Sequence, residues 1–307
     1  MHFKNKYFCL LTLAGVGLFV PPSVRAELIY GLTAPGALVR FDSTSPSAVT
    51  TIGAVSGAAS GQFFLDIDFN PANGLLYGLG VNGFTGASNL YTINPNTGVA
   101  SLVGAAPFTI STSIAGRVGM DFDPVSGGLR VITRNGSNYR VSPVTGTITA
   151  FDTTLSYAPG QPASGVPDSV ALAYSNNFAG AASTTLYSYT FNFDEFVRIG
   201  SPGGTPISPD TGQSFIIGGS HQFPLTSNVG FDISPSGIAY LSANIGASTL
   251  FTVDLTTGAA TSIGAIGGNP QLVGLTVAVP EPGTFALVIA GMLAVSADAA
   301  LRRAYRE

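Results

Sequence analysis

The chain has 307 residues, 45% of them apolar, with 39 glycines, 20 prolines and a formal net charge of −4. Charged residues make up only 9%, which excludes the dense basic face that an electrostatic nucleic-acid binder needs. Gly and Pro together stay below the roughly 25–30% that marks aperiodic disorder, and the apolar share can fill one large all-β domain or two smaller ones.

Lys4 and Lys6 precede an apolar run from Tyr7 to Val20, followed by Pro21-Pro22 and Val24-Arg25-Ala26. A basic start, a short apolar core and a small residue at the junction predict a secretory signal peptide over 1–26, cleaved after Ala26. The run is short against the roughly 20 residues of a membrane span. Export through the Sec translocon follows. Cys9 lies inside this leader, so no disulfide, thiolate nucleophile or Cys-ligated metal is expected in the mature chain.

From residue 27 to 279 the chain repeats itself. Residues 68–80 (Asp-Phe-Asn-Pro-Ala-Asn-Gly-Leu-Leu-Tyr-Gly-Leu-Gly) align without a gap with 121–133 (Asp-Phe-Asp-Pro-Val-Ser-Gly-Gly-Leu-Arg-Val-Ile-Thr), and 232–241 repeat the idea with a shorter turn. A degenerate copy starts at Val170 and runs through Ala173 to Asn176. Two apolar runs joined by a Pro- and Gly-containing turn predict a β-hairpin. A second hairpin follows each first one. Leu90-Tyr91-Thr92-Ile93-Asn94-Pro95-Asn96-Thr97-Gly98 leads to Leu102-Val103-Gly104, and Leu250 to Gly258 leads to Ile263-Gly264. Tyr139–Gly146 and Leu186–Gly200 read as looser versions of it. One unit is thus four strands, A to D, as in a propeller blade.

Leu28-Ile29-Tyr30-Gly31-Leu32 matches strand B (Leu75 to Leu79), not strand A, and the missing A lies at the far end, where Val273-Gly274-Leu275-Thr276-Val277 aligns with Val229 to Ile233. The first blade therefore borrows its innermost strand from the C-terminus, which closes a ring without a free edge. The expected fold is an all-β, five-bladed β-propeller. Six blades with one degenerate is the alternative, because residues 201–228 hold an echo of the second turn at Pro209-Asp210-Thr211-Gly212. The stretch resembles an exported bacterial repeat family of unknown function, through the pattern seen at 90–104 and 250–264. That resemblance supports the fold and implies no chemistry.

Val279-Pro280-Glu281-Pro282-Gly283 leads into an apolar stretch, Thr284 to Leu301, and then Arg302, Arg303 and Arg306. Eighteen helical residues span about 27 Å, just enough for a hydrocarbon core, and the arginines would stay cytoplasmic. Asp298 is tolerable only near the polar end. The order of motif, apolar helix and basic end resembles the PEP-CTERM sorting tail of Gram-negative bacteria. The resemblance implies a sorting site at Val279, Pro280, Glu281 and Pro282, an exosortase-like processing enzyme as partner, and an exopolysaccharide setting. Residues 280–307 would then be a transient anchor.

Candidate chemistry is sparse. His221 is the one histidine after the leader, in Gly218-Gly219-Ser220-His221-Gln222, and neither HExxH nor any other metal-ligand spacing is present. No Gly-x-Ser-x-Gly or phosphate-binding loop occurs. Asp68, Asp121 and Asp232 recur at one place in strand A, with Ala173 and Thr276 in the other two blades. Three carboxylates meeting at the axis would suit a hard cation such as Ca²⁺. The competing reading is local, with each carboxylate accepting backbone N–H groups of its own turn or of a neighbouring blade. Asp66 and Asp123 either extend such a site or are plain turn residues. Asp194-Glu195, the other acidic pair, is expected at a C–D turn in solvent. Arg117, Arg130, Arg134 and Arg140 fall in one blade, where they offer a dock for an anionic polymer or cap strand ends. Tyr77, Tyr91, Tyr187 and Tyr240 occupy repeat positions and are expected to pack between blades.

The expected function is a non-catalytic binding or structural propeller of the cell envelope or exopolysaccharide matrix, with no catalytic residue assigned, no nucleic-acid partner and no cofactor beyond the Ca²⁺ candidate. The alternative is an extracellular hydrolase or lyase using the acids at the channel mouth.

Overall fold

The computed structural model describes residues 26–111, 116–218 and 227–279. Alternating aliphatic, aromatic and Thr residues between Gly- and Asn/Asp-rich turns form strands throughout. Blade one holds β1 (Leu28–Thr33), β2 (Ala37–Asp42) and β3 (Ser45–Ala54), and blade two holds β4 (Phe63–Phe69), β5 (Leu76–Val81), β6 (Ala87–Ile93) and β7 (Ala100–Thr109). Blade three is β8 (Val118–Phe122), β9 (Leu129–Thr133), β10 (Asn138–Val141) and β11 (Ile148–Asp152), after which the short β12 (Ser156–Tyr157) crosses onward. Blade four is β13 (Ser169–Tyr174), β14 (Leu186–Thr190), β15 (Glu195–Ile199) and β16 (Gln213–Ile216). Blade five is β17 (Gly230–Ile233), β18 (Ala239–Ile245), β19 (Ala247–Val253) and β20 (Ala260–Ala265), and β21 (Leu272–Val277) returns to blade one.

The five sheets make a five-bladed β-propeller. β21 pairs antiparallel with β1, with Ile29 opposite Val277 and Gly31 opposite Leu275, so the last strand is the innermost strand of the first blade. The six-blade alternative is corrected here. Pro209–Thr211 is the C–D turn of blade four and β16 its outer strand, which β12 extends by a short parallel pairing. A second correction concerns Leu186–Gly200. It spans strands B and C of blade four, because the A–B loop before it is lengthened to residues 175–185 and displaces the pattern.

Five apolar clusters fill the five interfaces between neighbouring blades. Tyr30 meets Phe69, and Tyr77 meets Phe122, edge to face across two of them. The glycine of the C–D turn is demanded twice over. Gly146 has φ +65, and a Cβ there would lie 2.1 Å from the carbonyl oxygen of Val103 on blade two; Gly258 has φ +71 with Ile217 O at 2.3 Å. Left-handed backbone and close approach by the preceding blade's outer strand together explain why Thr-Gly recurs.

Candidate functional site: the axial carboxylates

Strand A of each blade runs along the axis, and one position in it carries Asp68, Asp121, Ala173, Asp232 or Thr276. Its cross-strand partner in strand B is Tyr77, Arg130, Tyr187, Tyr240 or Tyr30. The side chain at this position reaches the next blade. Asp68 accepts the N–H of Phe122 at 2.9 Å, Asp121 that of Tyr174 at 3.1 Å, and Asp232 that of Val277 at 2.6 Å. Thr276 completes the circuit: its hydroxyl oxygen accepts the N–H of Phe69 at 3.2 Å and its O–H donates to Asp68 at 2.9 Å. Ala173 cannot reach blade five, and there the N–H of Ile233 turns to the other oxygen of its own neighbour, Asp232, at 2.6 Å. These bonds satisfy backbone groups that the innermost strands leave unpaired on their axial edge.

The circuit gathers three carboxylates. One oxygen each of Asp68, Asp121 and Asp232 lies within 4.8 Å of the others, and each residue is about 1% exposed. Asp66, which the repeat pattern does not single out, adds a fourth buried acid two residues earlier, accepting from Met120 on blade three and from Ile67, both at 2.9 Å. Glycines make this level narrow: a Cβ at Gly274 would lie 2.5 Å from the Asp66 carboxylate, and one at Gly119 2.8 Å from the backbone of β13.

Burial, against the N–H donors, pushes Asp66 well above the ordinary carboxylate value. Burial likewise lifts Asp68 to about 7, with Phe122 and Thr276 opposing and Asp66 assisting. Asp121 and Asp232 are raised well above their usual value by burial and then by Asp68, with Asp232 adding to the rise at Asp121. The acids therefore hold protons at mildly acidic pH, or share a cation. The donor set fits a hard cation. Calcium–oxygen bonds of about 2.3–2.6 Å put oxygens across one ion up to roughly 5 Å apart, and the three carboxylate oxygens lie inside that limit.

The family described as "Domain of unknown function (DUF4394)" matches residues 37–276. The chain belongs to the DUF4394 family. No curated protein matches it. A GH43 glycoside hydrolase with an active site engineered to display both endo-xylanase and exo-arabinofuranosidase activity shares the fold with this DUF4394 chain at TM-score 0.50 and 13% identity, over 78% of this chain and 52% of that one. A nidogen/laminin complex is similar at TM-score 0.46 and 11% identity, over 84% of this chain and all of the other. A protein of unknown function from Bacteroides thetaiotaomicron is similar at 0.48 and 13%, over 83% and 67%.

The other predicted residues of the DUF4394 chain are used separately. The four arginines of blade three form no single basic patch. Arg117 donates to Asn228, and Arg134 binds Asp168 with its guanidinium over the Phe191 ring. Arg130 and Arg140 share Asp152 and Asp210. Asp194-Glu195 lies between strands B and C, not at a C–D turn. Glu195 is buried and accepts the Tyr157 hydroxyl at 2.5 Å, while Asp194 accepts that of Tyr189 at 2.8 Å, so the expectation of a solvated pair is corrected. Asp123 is a turn residue accepting the N–H groups of Val125 and Ser126. Of the expected sorting motif, Val279 is described and is 8% exposed. Pro280, Glu281 and Pro282, His221, Arg302, Arg303 and Arg306 lie outside the described residues, as does the expected leader up to residue 25. Among the described residues no helix is long and apolar enough to cross a membrane.

Proposed function

We infer that the protein is an exported, non-catalytic propeller that binds or braces extracellular polysaccharide at the cell envelope, and that its tail is a PEP-CTERM-type signal handled by an exosortase-like enzyme. The carrying observation is how the acids are used. Each axial carboxylate accepts the N–H of a neighbouring strand and is almost wholly buried, so its geometry serves cohesion of the ring, and an extended polymer has no direct approach to it. The leader and the ordered sequence of motif, apolar stretch and basic end support export and sorting. Val279, the last described residue, is buried in the apolar cluster between blades one and two, and beside it the Ala278 N–H donates to Leu28 O at 2.8 Å.

Fractionation of the native host, with mass analysis of the C-terminus, tests sorting. A released form ending near Pro280–Gly283 supports it, and a full-length form confined to the inner membrane opposes it.

A second reading, a Ca²⁺-assisted hydrolase or lyase, draws on the three carboxylates within 4.8 Å of one another. Thermal unfolding with Ca²⁺ and with chelator tests the metal-centred form of this second reading. A cation held at the axis raises the midpoint with concentration, and an all-proton cluster leaves it unmoved.

A further inference from the structure

The repeat is broken at one interface. Strand B carries tyrosine opposite the axial position in four blades and Arg130 in blade three. The residue it meets on the next blade is also exceptional: Tyr174 stands where the other blades have Phe69, Phe122, Ile233 or Val277. Instead of an edge-to-face aromatic pair, the Arg130 Nε–H donates to the Tyr174 hydroxyl at 2.7 Å. Arg130 also holds Asn138, Asp152 and Asp210 at 2.6, 2.9 and 2.6 Å.

Blade four is irregular at the same place. Its A–B loop, 175–185, replaces the short turns 70–75, 123–128 and 234–238, and its C–D turn, 200–212, replaces 94–99, 142–147 and 254–259. Both insertions lie on one face and wall a cleft of about 300 Å³ between blades three and four, with Arg130 and Tyr174 among its lining residues. In a repeat protein, insertions confined to one unit and one face are where binding surfaces are built.

The chemistry of the cleft is mixed. Arg140 lines it with a guanidinium-bearing side chain that is 43% exposed. Asp210, 39% exposed, lines it too; burial raises its carboxyl, but Arg130 and Arg140 outweigh that and hold it below the ordinary value. Two guanidinium groups pair with Asp152 and Asp210 and Asp123 lines the cleft as a third carboxylate, so the cleft has no surplus of positive charge for a polyanion. An ionised acceptor, the half-exposed Arg140 guanidinium and the hydroxyls of Ser183 and Ser208 call for a ligand whose groups both donate and accept.

We propose that this cleft binds a neutral saccharide, one or two sugar rings at a chain end or along a polysaccharide, a size suited to the lower end of ligand pockets of roughly 300–1,000 Å³. The site rests on the binding-module reading above and names its ligand class and location.

The test is calorimetric titration of the full chain with neutral glucose, galactose and mannose tetrasaccharides, with an oligo-uronate and with inorganic sulfate. Two cleft variants, Ser183→Trp at an exposed position and Arg140→Gln, are compared with Phe84→Ser, a control in the B–C loop of blade two. Binding of a neutral tetrasaccharide, weakened at least tenfold by Ser183→Trp at unchanged melting temperature and by Arg140→Gln at a temperature where that variant is still folded, and unaltered by Phe84→Ser, supports the proposal. Neutral-saccharide binding that survives both cleft variants overturns the location while the binding-module reading stands. Binding of uronate or sulfate alone overturns the ligand class. Binding of no probe overturns the proposal together with the polysaccharide reading.

Discussion

Asp232 on β17 accepts the backbone N–H of Val277 on β21 at 2.6 Å, so a side chain of blade five grips the strand that closes blade one. The same grip links blade two to three through Asp68 and three to four through Asp121. Asp232→Ala leaves the N–H groups of both Val277 and Ile233 without this acceptor. Each orphaned buried donor costs about 1–3 kcal/mol. Denaturant unfolding should show a loss of that order, and Asp232→Asn, which keeps one acceptor oxygen, should lose less.

Stability should fall as pH rises through the neutral range. Burial first, and Asp66 later, raise Asp68 from 3.8 to about 7 in the folded state, so between those values the folded chain binds a proton that the unfolded chain releases. The contribution is fully present below about pH 4 and is lost on the way to about pH 7. Urea midpoints at pH 5 and pH 8 check this. The lower pH should be the more stable by an amount on the order of a few kcal/mol, and Asp68→Asn should reduce the difference, the part that remains belonging to the other raised acids, Asp66, Asp121 and Asp232.

The recurring turn glycine should be far less replaceable than a glycine in open space. Gly146→Ala puts a Cβ 2.1 Å from Val103 O at φ +65, whereas Gly237 has φ +88 and nothing within 4 Å. Gly237→Ala should cost only the left-handed strain of roughly 1–2 kcal/mol, and Gly146→Ala clearly more. Thermal melts of the two variants side by side decide it.

The buried guanidinium of Arg130 should be hard to remove. It binds Tyr174, Asn138, Asp152 and Asp210, and Arg130→Met strands the two acids beside Arg140 alone. Removing one partner of a buried ion pair costs up to about 3–5 kcal/mol. A melting temperature equal to that of the parent chain would contradict the assignment.

Much of this architecture is legible in the chain. The match of Leu28–Leu32 to strand B, with Val273–Val277 as the missing strand A, gives the ring closure directly, because register in a sheet follows the apolar pattern. The recurrence of Asp68, Asp121 and Asp232 likewise identifies the axial position. What they do there is not legible, since each bonds a strand more than forty residues away, as Asp232 does with Val277. Asp66 escapes notice because its counterparts Gly119, Ala171, Gly230 and Gly274 carry no acid. Blade four misleads through its lengthened A–B loop, which shifts the next apolar run out of step. The Arg130 network draws Asp152 and Asp210 from 22 and 80 residues away, a separation that no local pattern encodes.

Amide hydrogen exchange at Phe122, Tyr174 and Val277 tests the axial tethers most directly. These N–H groups should exchange only through global unfolding, and Asp232→Ala should accelerate Val277 while leaving Phe122 and Tyr174 slow relative to it. Exchange of all three at the rate of exposed loop amides in the parent protein would contradict the account.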